Sequence, residues 1–195
     1  NHKVYGEALA ILAGDALFLD PFGMIAASAL PDEVKVSLIL ELSDASGSRG
    51  MVAGQVLDME GEHKQLTLAE LQTIHANKTG RLLAYPFIAA GLMLELQADI
   101  AQLLEKIGKK LGLAFQVRDD ILDLVADFEA LGKTPQKDLV AEKSTYPALL
   151  GLEESKALLT SELDACEDLL DQITSACDFD PRAIKKLIEG LRIDG

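Results

Sequence analysis

The chain has 195 residues and a mass of 20.9 kDa, enough for one domain with a full core. Its 49% hydrophobic and 26% charged residues exclude a disordered chain. The 32 acidic against 18 basic residues, a net charge of −14, exclude bulk attraction to nucleic acid or anionic lipid, yet leave room for placed lysines and metal-holding carboxylates.

The pattern is helical throughout: Ala, Leu, Glu, Lys and Gln dominate, and β-branched runs are rare. A first helix is expected over residues 5–19, stopped before Pro21, with a short one over 22–29. Pro31-Asp32-Glu33 starts another, with proline and acids in its first turn, and it runs to about Asp44. Residues 46–50 break it or open the next helix, which carries residues 55–59. After a polar connection over 61–66, Thr67-Leu68-Ala69-Glu70 has capping-box spacing. The pattern pauses at 77–80 and resumes to about Leu94, apolar nearly all round as a central helix is. A long helix is expected over 98–126, its second half again apolar. Residues 127–142, with Gly132, Pro135 and lysines, read as an ordered loop or lid. A short helix over 144–150, an amphipathic one over 153–176 and a last one opened by Asp180-Pro181 and running through Leu191 complete one all-α domain.

Cys166 and Cys177 are too few for a disulfide scaffold. On one helix they stand ~16 Å apart, beyond disulfide reach. Buried free thiols in a reducing compartment are expected. The longest nearly apolar run, 82–94, falls short of the ~20 residues that cross a bilayer. No signal-peptide pattern follows Asn1-His2-Lys3. A cytoplasmic chain without stable membrane insertion is the expectation.

Asp119-Asp120-Ile121-Leu122-Asp123 is the sharpest feature. On a helix Asp119 and Asp123 share one face, and Asp120 lies ~100° round from Asp119. Leu113, Phe115, Val117, Ile121, Leu124 and Val125 flank them and mark a largely buried helix. Uncompensated carboxylates are costly there. A hard divalent cation resolves the conflict, because oxygen ligands and partial dehydration suit Mg²⁺. A solvated acidic turn is the plain alternative, and the motif alone does not decide between them.

The stretch from Gly112 to Asp123 resembles the second aspartate-rich motif of the trans-prenyltransferases, the isoprenyl diphosphate synthase family. Other blocks match in order. Gly14-Asp15-Ala16-Leu17 resembles the family's GDAL helix, Gly54-Gln55-Val56-Leu57-Asp58 its GQxxD block, and Lys78-Thr79-Gly80 its KTG segment. Leu131-Gly132-Lys133-Thr134 and Lys143-Ser144-Thr145-Tyr146-Pro147 resemble its lysine-bearing loop. The bacterial short-chain branch, farnesyl or geranylgeranyl diphosphate synthases, is the most similar. The family's first aspartate-rich motif and the arginines that follow it do not occur in this sequence. The chain is therefore expected to lack roughly the N-terminal third of a usual member, and with it the side chains that set product length and bind the homoallylic substrate.

The resemblance implies a bundle of long helices around a central cavity, a homodimer, and Mg²⁺-dependent head-to-tail condensation of an allylic diphosphate with isopentenyl diphosphate. It implies Asp119 as the first Mg²⁺ ligand, completed by Asp120 and Asp123 directly or through water. It assigns the allylic diphosphate to Lys78, Lys133 and Lys143, the carbocation to Gln116 and Thr79, and the cavity wall near the diphosphate to Gln55 and Asp58. It also implies that the loop over 127–142 closes on the site. Read alone, Lys78 is a solvated helix-end lysine, Gln116 a core amide, and Asp58 a surface acid in the run with Glu60 and Glu62. Arg118 neutralises the aspartates, Asp15 is structural, and Asp138 is a loop cap or an acid near the lysines. His2, His63 and His75 show no ligand spacing and are set aside. A non-catalytic prenyltransferase-like subunit and an acidic helical interaction protein stand as the alternatives.

Overall fold

The computed structural model describes residues 1–131 and 144–193, and no strand occurs among them. α1 (His2–Tyr5), α2 (Glu7–Ala27), α3 (Asp32–Ser46), α4 (Met51–Gly61) and α5 (Leu68–His75) come first. A π-helical segment, Ala76–Gly80, joins α5 to α6 (Arg81–Met93). α7 (Ala98–Leu131), α8 (Tyr146–Leu150), α9 (Leu152–Ala176) and α10 (Arg182–Leu191) follow. The fold is all-α, as expected. Local chemistry sets several boundaries. Thr67 Oγ1 accepts the Glu70 N–H at 3.3 Å and Glu70 Oε2 accepts the Thr67 N–H at 2.8 Å, so the capping box that starts α5 is formed.

The core lies mainly between α7 and α9. Ile100, Leu104, Ile107, Leu111, Ala114, Val117 and Ile121 recur every three or four residues on one buried stripe of α7. Leu159, Leu163, Cys166, Leu170 and Ile173 do the same on α9. The two helices run antiparallel, because later residues of α9 meet earlier ones of α7. Lys110 Nζ pairs with Glu162 Oε2 at 2.9 Å, and the Cys166 thiol points at the Ile107 carbonyl 3.9 Å away. Burial pushes the Cys166 thiol up to about 12.

Several expectations change. Pro21 does not end the first long helix; α2 runs through it. A proline removes its own N–H bond and crowds the carbonyl four residues back, and a helix with no buried residue can bend there and leave that carbonyl to water. No α2 residue is buried, and its 21 residues are long and apolar enough to cross a membrane by length and composition. A search for one uninterrupted apolar run misses it, because Asp15 and Asp20 divide the segment. α6 is not buried all round: its small residues Ala84, Ala89 and Gly91 are covered, while Leu82 and Leu83 are exposed. The reason is close backbone approach, since a Cβ built on Gly108 of α7 would stand 2.8 Å from the Ala84 Cα. α7 continues to Leu131, into the segment expected as a loop, and the rest of that loop lies outside the described residues. Both cysteines are free, but only Cys166 is buried; Cys177 caps α9 beyond the last covered position, Ile173, and is exposed.

Candidate active site

The site begins with the junction of α5 and α6. The sequence there predicts a pause, and the structure replaces it with one widened turn over Ala76–Gly80, which carries Lys78 and Thr79. Two glycines let neighbouring helices grip this turn. A Cβ at Gly54 of α4 would overlap the Lys78 backbone nitrogen and stand 2.5 Å from the Lys78 Cα. A Cβ at Gly112 of α7 would stand 2.8 Å from the Gly80 Cα. Main chain meets main chain at both places, so no other residue fits without displacing a helix.

That grip sets the polar contacts. Lys78 Nζ donates to Asp58 Oδ2 of α4 at 2.5 Å, with both side chains about one-third exposed, at 35% and 31%. The hydroxyl of Thr79 donates to Gln116 Oε1 of α7 at 2.9 Å. Lys78, Asp58 and Gln116 line a cavity of about 390 Å³, together with His75, Asp120 and Ser144. A larger cavity of about 610 Å³ lies beside α3 and α6, where Arg81 pairs with Asp44 at 3.0 Å, but none of the predicted site residues line it.

The three α7 aspartates differ in placement. Asp119 and Asp123 are exposed, one turn apart on one face. Asp120 is only 7% exposed, and its Oδ2 accepts the Tyr146 N–H at 3.0 Å. Tyr146 is fully buried, with its ring 5.4 Å from the His75 ring. Burial first, and then the Asp120 charge, raise its phenol far above the usual range. Among the described residues, no three His, Cys, Asp or Glu side chains converge as a metal cage. The exposed pair Asp119 and Asp123 still fits a hard cation. Two hard oxygen donors on one face suit Mg²⁺, which keeps several waters and takes phosphate oxygens for its other positions.

The resemblance assigns Lys78, Asp58, Thr79 and Gln116 to one site; the structure pairs Lys78 with Asp58 and Thr79 with Gln116, and Lys78, Asp58 and Gln116 line one cavity. Gln55 stands apart: it is exposed on α4 and does not line the cavity. Lys133, Lys143 and Asp138 lie outside the described residues. Two further features belong to the site. His75 lies three residues before Lys78, a spacing that puts both on one helix face and signals a shared wall. The contact of Asp120 with Tyr146 spans 26 positions and leaves no local signal.

The polyprenyl synthetase family model matches residues 1–177. Over 189 residues the chain is 49% identical to the farnesyl diphosphate synthase of Micrococcus luteus, covering 97% of this chain and 65% of that protein. It is 42% identical over 183 residues to the farnesyl diphosphate synthase of Bacillus subtilis, covering 92% and 62%. Among solved structures, the geranyltransferase of Helicobacter pylori superposes with a TM-score of 0.82 at 29% identity, covering 97% of this chain and 62% of that one. A structure of that enzyme complexed with magnesium and isoprenyl diphosphate gives 0.78 at 31%, covering 97% and 61%. The chain thus spans a little under two thirds of the length of these relatives.

Proposed function

The chain belongs to the polyprenyl synthetase family, and from that premise we propose that it carries out head-to-tail condensation of an allylic diphosphate with isopentenyl diphosphate, giving a short-chain prenyl diphosphate. The observation that carries this reading is the convergence of Lys78, Asp58 and Gln116 on one cavity, with Thr79 bonded to Gln116 behind it. Breaking the allylic C–O bond separates a diphosphate from a carbocation. Lys78 is a compact point charge with three donors, suited to the departing phosphate oxygens, and Asp58 holds it in place until the ligand arrives. Thr79 and Gln116 present oxygen dipoles to the cation but no strong nucleophile. The departing diphosphate takes the last proton from the new chain, so no protein base is required. Water must be kept from the cation, which it quenches.

Asp119 and Asp123 would hold Mg²⁺, with Asp120 set back at 7% exposure. When bound, the ion neutralises charge on the diphosphate. Lys133 and Lys143 complete the diphosphate grip in this proposal, and Gln55 lies one turn from Asp58 along α4.

We also propose a homodimer, with α2 covered by a second copy. An apolar helix of 21 residues with none of them buried calls for a cover. A bilayer is the poorer cover, since Asp15 and Asp20 would each cost about 2.5–3.5 kcal/mol near its centre. The free thiols and the acidic surface fit a cytoplasmic location. The test uses Lys78→Ala and Asp119→Ala in the intact protein, with folding checked by circular dichroism. Both variants should lose condensation of labelled isopentenyl diphosphate by about 10²-fold or more. Full activity in folded Lys78→Ala would reject the assignment.

A further inference from the structure

We infer that Asp120 is a positioning residue that fixes the start of α8 against α7, and is not a third carboxylate of the metal site proposed at Asp119 and Asp123. The contrast rests on that proposed metal site, but the contact itself does not. Asp120 is 7% exposed, whereas Asp119 and Asp123 on the same turns are exposed. Its Oδ2 accepts the N–H of Tyr146 at 3.0 Å. Tyr146 is the first residue of α8, so this N–H is one of the donors that a helix leaves without a partner in its own first turn. A carboxylate there makes a charge-assisted bond.

Neighbouring contacts show that the whole α8 entry is tied down. Ser144 Oγ accepts the Leu66 N–H at 3.1 Å and donates to the Lys64 carbonyl at 3.3 Å, joining the α4–α5 connection. Thr145 Oγ1 caps α8 by accepting the Ala148 N–H at 3.3 Å. Tyr146 then packs its buried ring against His75, three residues before Lys78. Asp120 therefore braces the wall from which Lys78 faces the cavity. Asp120 borders the cavity, but its Oδ2 is tied to a backbone N–H, so the carboxylate is less free than its exposed neighbours to meet the near-ideal octahedral shell that Mg²⁺ demands. The three aspartates accordingly do not converge as a cage.

The test compares Asp120→Asn, Asp120→Ala and Asp119→Asn in the intact protein. Mg²⁺ affinity is measured calorimetrically with inorganic pyrophosphate present, and exchange of the Tyr146 amide is followed by NMR. Asparagine keeps an oxygen acceptor for the Tyr146 N–H and loses only the charge. Asp120→Asn should hold Mg²⁺ within about twofold of the parent and keep the Tyr146 amide protected. Asp120→Ala should speed exchange at Tyr146 by about tenfold. It should also raise KM for the allylic diphosphate more than it lowers kcat, and asparagine should rescue this. Asp119→Asn should weaken Mg²⁺ binding and leave Tyr146 exchange unchanged. Loss of Mg²⁺ affinity in Asp120→Asn equal to that in Asp119→Asn would overturn the inference, as would unaltered Tyr146 exchange in Asp120→Ala. If Asp119→Asn binds Mg²⁺ normally, the metal assignment at Asp119 fails, and Tyr146 exchange still decides the role of Asp120.

Discussion

Replacing Gly54 with alanine adds one methyl group where α4 meets the π-helical segment. The new Cβ would overlap the Lys78 nitrogen, stand 2.5 Å from the Lys78 Cα and 2.7 Å from the Asn77 carbonyl carbon, where ordinary contact begins at 3.4 Å. The three nearest atoms are all main chain, so no rotamer can relieve the clash. α4 must withdraw from the segment by about 1 Å, and overpacking of this kind costs about 1–3 kcal/mol. For a chain of this size that lowers Tm by roughly 2–12 °C. The same shift draws Asp58 away from Lys78, and a 1 Å misplacement at a reacting centre costs about 10²-fold in rate. The assay is thermal melting beside condensation kinetics. Gly190→Ala, where a Cβ would meet nothing within 4 Å, is the control and should melt no lower than the parent. Parent-like melting and turnover in Gly54→Ala would refute the claim that this contact positions Lys78.

Thr79→Val removes the donor to Gln116 Oε1 at nearly constant shape and should cost about 1 kcal/mol, read as a lower Tm, while Thr79→Ser should restore it. With a thiol reagent near pH 8, Cys177 should react quickly, and Cys166, which burial pushes up to about 12, only after unfolding; equal native rates would contradict its burial. The Glu70 carboxyl is held below its ordinary 4.5 by bonds from Thr67, so the capping box stabilises fully above that pH. The gap in Tm between the parent and Glu70→Gln should shrink as pH falls through the lowered value, and a constant gap would contradict the contact.

Much of this architecture is readable in the sequence, because local rules govern it. The capping box at Thr67 and Glu70 is a spacing, and the buried stripes of α7 and α9 are periodicities. Backbone approach is where such reading stops. Gly54 and Gly112 are visible as letters, but that their Cα atoms touch the Lys78 turn depends on helices far apart in sequence. A pause at 77–80 and a widened helical turn share one local pattern, and the grip of α4 and α7 selects between them. Pro21 inside α2 is tolerated because the helix is exposed, which no local pattern reports. The aspartate motif places three carboxylates on adjacent turns, yet only the long-range contact with Tyr146 separates Asp120 from its neighbours.

The cavity beside Lys78, Thr79 and Gln116 is proposed to support ionisation and condensation of an allylic diphosphate. Mass spectrometry of the products from intact protein, geranyl diphosphate, ¹³C-labelled isopentenyl diphosphate and Mg²⁺ decides it. A labelled prenyl diphosphate one isoprene unit longer than the allylic substrate is expected, abolished by chelation. Unchanged substrates, with folded protein and Mg²⁺ present, would contradict it.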